Sequence, residues 1–142
     1  MKTSENVENL TKALSKSHKE LKSFKVDKEG YNFKYLTLSK IYEIALPVLS
    51  ANGLALTNSS SVYVRDSQPW VKVITALCWG NEWIRNELTF PLIEPSKKTD
   101  TDIMMLGSTI SYLTRYNVQS LLSISGTDKD VEQIQKEEII GE

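Results

Sequence analysis

The sequence predicts an α+β domain in which an antiparallel three-stranded β-meander packs with helices. Two observations predict it. Apolar residues recur at three- and four-residue spacing on both sides of the central region, and between Leu54 and Leu92 this gives way to alternating β-branched and aromatic residues broken by two turn signals. The length, 142 residues, suits one domain with a sizeable core and not two. Residues 1–126 are assigned to that domain and 127–142 to an acidic, flexible tail.

Taken in order, Val7, Leu10, Leu14, Leu21 and Phe24 form an apolar stripe interrupted by Ser17, which predicts a helix over about residues 5–25. Lys12, Lys16 and Lys19 project from its other face, either as a solvated surface or as phosphate contacts, and His18 reads as a surface residue. Tyr31, Phe33 and Tyr35 then alternate with polar residues in a short extended segment, a pattern that favours core packing over base stacking. Thr37 is a candidate N-cap for a second helix carried by Leu38, Ile41, Ala45, Val48 and Leu49 and stopped by Asn52-Gly53. Pro47 removes a backbone donor inside that helix and is expected to loosen its last turns.

The meander breaks at Asp66-Ser67-Gln68-Pro69 and at Gly80-Asn81. A two-residue turn at Gly80-Asn81 pairs Leu77 with Ile84, Val73 with Leu88 and Val71 with Phe90, and these make the buried face, with Trp79 packing on the same side. The opposite face carries Trp70, Lys72, Ile74, Ala76 and Cys78 against Pro91, Thr89, Glu87, Arg85 and Trp83. That face is either a docking platform or is covered by a helix or a neighbouring subunit. A polar loop at 93–101 contains Lys97-Lys98. A third helix follows, carried by Ile103, Leu106, Ile110, Leu113, Val118, Leu121 and Leu122 to about residue 123, with Gly126 beyond its end. Gly107 inside it implies a close neighbour against the backbone, because glycine there costs about 1 kcal/mol relative to alanine.

Composition narrows the function. No apolar run is long enough to span a membrane and no secretory signal opens the chain, so the expected place is the cytoplasm. One cysteine and one histidine do not make a disulfide or a zinc cluster. Asp100 and Asp102 suit helix capping better than Mg²⁺. Ser108 and Ser111 have no general base, and no phosphate-cradling loop or hydrolase motif is present, so neither catalysis nor a cofactor is expected. The net charge of −1 hides a gradient: nine basic against five acidic residues over 1–40, six against seven over 41–127, two against six over 128–142. A basic front on a near-neutral body suits a polyanion partner, and equally a solvated helix.

Two blocks carry a resemblance. The first runs from Asn32-Phe33-Lys34-Tyr35-Leu36-Thr37-Leu38 through Ala45-Leu46-Pro47-Val48-Leu49 to Gly53-Leu54-Ala55-Leu56; the second is Gly107-Ser108-Thr109-Ile110-Ser111-Tyr112-Leu113-Thr114-Arg115-Tyr116, followed by Leu121-Leu122-Ser123-Ile124. With the meander between them, the chain resembles the Erf family of phage single-strand annealing proteins over roughly residues 5–130. The resemblance implies a β-β-β-α-like annealing-protein core. It also implies assembly into rings or filaments that bind single-stranded DNA, and ATP-independent annealing of complementary strands in phage or prophage recombination and repair. A phage exonuclease or a host single-strand-binding protein is a further partner it admits. Thr114 departs from the family's frequent Arg-Arg pair, which removes one positive charge, and the chain is shorter than many members.

Annealing without fuel requires a cationic track that lowers phosphate repulsion while bases stay free to pair. Arg115 is the leading residue for it. Ser108, Ser111 and Tyr112 lie three to seven positions before it and share its helix face, and Lys97, Lys98, Arg85 and Lys72 are candidates to extend the track. Read without the resemblance, Arg115 suits an intersubunit ion pair, with Tyr112 and Tyr116 in the core. So few cations per face imply avidity through a homo-oligomer, and the open edges of a meander invite a neighbour. The alternatives are a single-stranded DNA coat without annealing activity and a protein-interaction module that does not bind DNA.

Overall fold

Two tight turns and three amphipathic stripes organise the chain. In this computed structural model, which describes residues 1–27, 37–92, 94 and 101–124, the elements run β1 (Lys2–Thr3), α1 (Glu8–Asp27), α2 (Leu38–Ala51), β2 (Ala55–Arg65), β3 (Gln68–Trp79), β4 (Glu82–Pro91) and α3 (Asp102–Leu122). The Tyr31, Phe33 and Tyr35 segment, Lys97, Lys98, Asp100, Gly126 and the acidic tail lie outside the described residues.

The β3–β4 register is the expected one, with Leu77 opposite Ile84, Val73 opposite Leu88 and Val71 opposite Phe90. Gly80 holds φ at 57°, the left-handed region that glycine enters without steric cost. The other turn is tighter than the four-residue break suggested. Asp66 and Ser67 alone make it, with φ of 53° and 61°, and Gln68 and Pro69 already belong to β3. A fourth strand joins the meander: β1 pairs with β4 through Lys2 and Thr3 opposite Arg85 and Ile84, so the antiparallel sheet has the order β1-β4-β3-β2. The Ser4 amide donates to Trp83 O at 2.8 Å and the Trp83 amide to Ser4 Oγ at 2.9 Å, which fixes β1 in place.

Leu10 and Leu21 of α1, Ile41, Ala45 and Leu49 of α2, and Val118 and Leu122 of α3 form one core with Leu54 and Leu77. Val71, Val73 and Leu113 form a second, with Leu88, Leu92, Leu106 and Ile110 around it. Ser17, which breaks the α1 stripe in the sequence, is fully buried; its hydroxyl donates to Ala13 O at 2.8 Å and accepts from Asn52 Nδ2 at 3.0 Å. Thr37 caps α2 as expected, accepting from the Lys40 amide at 3.2 Å. The helix runs through Pro47 to Ala51. It ends where Gly53 turns left-handed at φ 77° and the Leu54 amide bonds Leu49 O at 2.9 Å. In α3 the cap is Thr101, which accepts from the Met104 amide at 3.2 Å, and Asp102 lies in the first turn. Ile103 is 77 % exposed, because the start of α3 reaches past the part of the sheet that it covers.

Between the two cores lies one polar row. Asn58, Thr75 and Asn86 sit opposite one another on β2, β3 and β4. Thr75 Oγ1 donates to Asn58 Oδ1 (2.6 Å), Asn58 Nδ2 to Tyr42 Oη on α2 (2.8 Å), Asn86 Nδ2 to Asn117 Oδ1 on α3 (3.1 Å), and Asn117 Nδ2 to Val73 O (2.9 Å). Such a row specifies register, because a slip would bury these groups without partners. Phe90, expected on the buried face, has the right side but is 55 % exposed. A helix about 10 Å wide that covers β3 leaves the outer strands open at this end. Trp79 is likewise on the helix side and 36 % exposed at the sheet's end; a Cβ at Gly53 would come within 3.3 Å of its Nε1.

Candidate nucleic-acid interface

The inward side of α3 is fixed by Thr109, Leu113, Thr114, Asn117 and Val118, all buried. Its outward side therefore presents Ser108, Ser111 and Tyr112 to solvent, with Arg115 half-buried beside them. The four residues expected together are together. They line a groove of about 370 Å³ whose other wall is Thr37 and Leu38, so the start of α2 faces the guanidinium-bearing side of α3. The first turn of α2 has no acidic residue, and its Thr37 and Leu38 line the groove, so the positive end of its dipole lies beside it.

Arg115 is held by aromatic faces instead of a carboxylate. Its Cζ lies 5.2 Å from the Tyr112 ring centre and 5.0 Å from that of Tyr116, and Nη2 donates to Tyr116 Oη at 3.3 Å. Its Nε is buried without a partner, and among the described residues no acidic side chain pairs with it. Tyr112 and Tyr116 are 51 % and 52 % exposed, so the core placement considered for them does not hold. Gly107 lies on the groove wall, and among the described residues nothing comes within 4 Å of the position a Cβ would take, in contrast to the close neighbour expected; its missing side chain leaves the groove its width. Thr114 is buried and donates to Ile110 O at 2.7 Å, so the position where the resemblance leads one to look for a second arginine is turned inward, away from the groove.

Lys72 and Arg85 lie elsewhere. They share the face of the sheet opposite α3, which no helix covers among the described residues. Lys72 pairs with Glu87 at 3.1 Å and lies 5.6 Å from the Tyr63 ring centre; Arg85 stacks 5.1 Å from that of Trp83. They form no continuous track with Arg115 within one subunit. Lys97 and Lys98 are outside the described residues. On α1, Lys12 pairs with Glu8 at 3.2 Å on an exposed surface. His18 is half-buried and its Nε2 has no partner among the described residues, so it is not simply a surface residue. Thr37 and Leu38 were not identified as site residues from the sequence, since only the docking of α2 against α3 brings them there.

A model of the ERF superfamily matches residues 4–139, nearly the whole chain. The chain belongs to the ERF superfamily. Comparison with curated proteins and with solved structures finds no match. At family level this is a phage recombination and single-strand annealing protein, and single-stranded DNA is the family's partner. The superfamily's work is DNA annealing and not catalysis. In this ERF-superfamily chain, Thr109, Ile110, Leu113 and Thr114 of the Gly107–Tyr116 block are buried or packed on the core, Gly107, Ser108, Ser111, Tyr112 and Arg115 line the groove, and Tyr116 lies exposed against Arg115. Among the described residues no helix is long and apolar enough to cross a membrane, and no group of three metal-ligating side chains gathers.

Proposed function

We propose that this chain binds single-stranded DNA and anneals complementary strands without ATP, acting as a homo-oligomer in phage or prophage recombination. The observation that carries the proposal is the Arg115 guanidinium, stacked between two half-exposed tyrosines beside the Ser108 and Ser111 hydroxyls and unpaired with any acid among the described residues. A guanidinium without a carboxylate presents its donors to phosphate oxygens, and hydroxyls and a helix N-terminus add neutral donors around the same anion. Exposed tyrosine rings offer stacking surface that does not discriminate between bases. Together these neutralise a backbone without gripping the pairing edges of the bases, which is the requirement for two strands to test complementarity. Lys97 and Lys98 extend the same contact. Lys72 and Arg85 contribute from the other face of the sheet. The working unit is residues 1–126.

The test is direct. Dye-labelled complementary strands are mixed with and without protein, no nucleotide added, and duplex formation is followed by energy transfer. Acceleration is the expected result. A protein that binds but slows duplex formation is a coat and overturns the annealing reading; one that binds neither strand at low salt overturns the DNA reading.

A further inference from the structure

β2 is the last strand of the sheet, and among the described residues no element pairs with its outer edge. All eleven residues, Ala55–Arg65, pair one for one with β3, so no bulge twists the edge away. Among the described residues no further backbone hydrogen bond reaches this strand. Protected edges carry lysine, proline, a bulge or a covering element. From Ala55 to Val64 this one has no charge and no proline, and Val62 and Val64 are 51 % and 75 % exposed.

The sheet's other side is open as well. β1 covers β4 only at Ile84 and Arg85, so among the described residues no strand pairs with the outer edge of Glu87–Pro91. Following the register across β3 puts Ser59 to Tyr63 of β2 level with Glu87 to Pro91 of β4. Val62 and Phe90 therefore share one row and one face, and both are more than half exposed. Each outer strand is antiparallel to β3, so β2 and β4 run parallel to each other. A second copy set beside the first in the same orientation brings its β4 edge to β2 as a parallel pair.

We propose that the outer edge of β2 pairs with Glu87–Pro91 of β4 in a second copy of this chain, head to tail, and that repetition of this contact builds the oligomer. The proposal rests on the oligomeric part of the function proposed above. It covers both open edges and sets Phe90 beside Val62, whereas a two-fold pairing of β2 with β2 stops at a dimer and leaves Phe90 exposed. Because the contact is heterologous it continues to a ring or a filament. β1 blocks the levels of Ile84 and Arg85, which limits each contact to about five residues a strand, so a single contact is weak. Along such a sheet, Arg115 recurs every three strands, or roughly 14 Å, always on the α3 side.

Ser61 and Thr89 lie in one row, on the exposed face away from α3. In a full-length Cys78→Ala background, Ser61→Cys and Thr89→Cys proteins are prepared separately and together and treated with a short bis-maleimide. The proposal expects a covalent heterodimer from the mixture, a ladder from the double variant, and no ladder from either single variant. Val62→Lys, which places a charge on the edge, is expected to abolish the ladder and shift light scattering to the monomer mass while the circular dichroism spectrum and Tm hold. Oligomers that survive Val62→Lys, a Ser61→Cys dimer without its partner, or oligomers that never cross-link would overturn the β2–β4 contact. A strictly monomeric protein overturns the contact together with the oligomeric reading. A ladder in a protein that ignores DNA supports the contact and removes only the DNA reading.

Discussion

Replacing Arg115 with alanine removes one guanidinium per subunit from the groove and nothing from the core. What the fold loses is two cation–aromatic contacts, at 5.2 and 5.0 Å, between partly exposed groups, about 0.5–1 kcal/mol each, and one exposed hydrogen bond to Tyr116 Oη. The variant is therefore expected to fold and assemble like the wild type. What the complex loses is larger. A charged hydrogen bond to phosphate contributes about 1.5–3 kcal/mol, or roughly 10- to 100-fold per subunit. Each phosphate contact on a single strand also adds about 0.7 to the slope of log K against log salt. Anisotropy titrations of a labelled oligo(dT) across a salt series measure both quantities. Arg115→Ala should lose affinity and flatten the slope by about 0.7 per subunit bound, and Arg115→Lys should restore the slope without the full affinity, since an ammonium lacks the planar fork that stacks between Tyr112 and Tyr116. An unchanged slope in a folded Arg115→Ala protein would refute the assignment of this groove to DNA.

Asn117→Ala strips the buried amide that links α3 to the sheet and leaves Val73 O and the Asn86 amide without their partner; a loss of about 3 kcal/mol is expected, read in urea denaturation as a lower midpoint at unchanged m and in heating as roughly 10 °C. Glu82 accepts from the Leu10 amide at 3.0 Å and from Asn9 Nδ2 at 2.9 Å; the Leu10 bond foremost holds its carboxyl below the usual value of 4.5, against burial, which pushes it up. A lowered folded-state pKa means stability present above about pH 4.5 and lost as pH falls through the lower folded value, so Glu82→Gln should melt lower than wild type at pH 7 and the gap should close in acid; a gap that is the same at pH 7 and pH 3 would remove this role.

The local features of the fold were legible and the long-range ones were not. Thr37, Asn52-Gly53 and Gly80-Asn81 act through groups a few residues away, and each does what its residue type dictates. β1 escaped because two residues carry no periodicity and its partners are more than eighty positions on. The cap of α3 went to Thr101 where Asp100 and Asp102 were expected, a difference of one residue that composition does not decide. Ser108, Ser111, Tyr112 and Arg115 were found because helical spacing and the family block agree on them. Thr37 and Leu38 were not, because the second wall of the groove exists only once α2 docks near α3. Lys72 and Arg85 show the converse case. Alternation placed them correctly opposite the buried face, but a track joining them to Arg115 needed α3 on their side, and the buried row from Val71 to Leu77 draws it to the other.

A site with one guanidinium that, among the described residues, meets no acid is weak by design of its surroundings. Arg115 sits on a helix fixed to the sheet by Asn117, which bonds Val73 O and the Asn86 amide, so its position is as rigid as the core beneath it, while its charge is softened by two tyrosine faces and, among the described residues, is matched by no acid. Rigidity sets where a phosphate binds, and the modest charge sets how long it stays. A strand held by many such points is retained through avidity, yet any few nucleotides can lift away at the cost of one contact. A deeper pocket with several paired cations would reverse that balance, because a strand that cannot release locally cannot exchange its register against a complement. Pairing two strands therefore favours repetition of a shallow groove over improvement of a single one, and the proposed contact through the β2 edge, uncharged from Ala55 to Val64, would supply the means to repeat it.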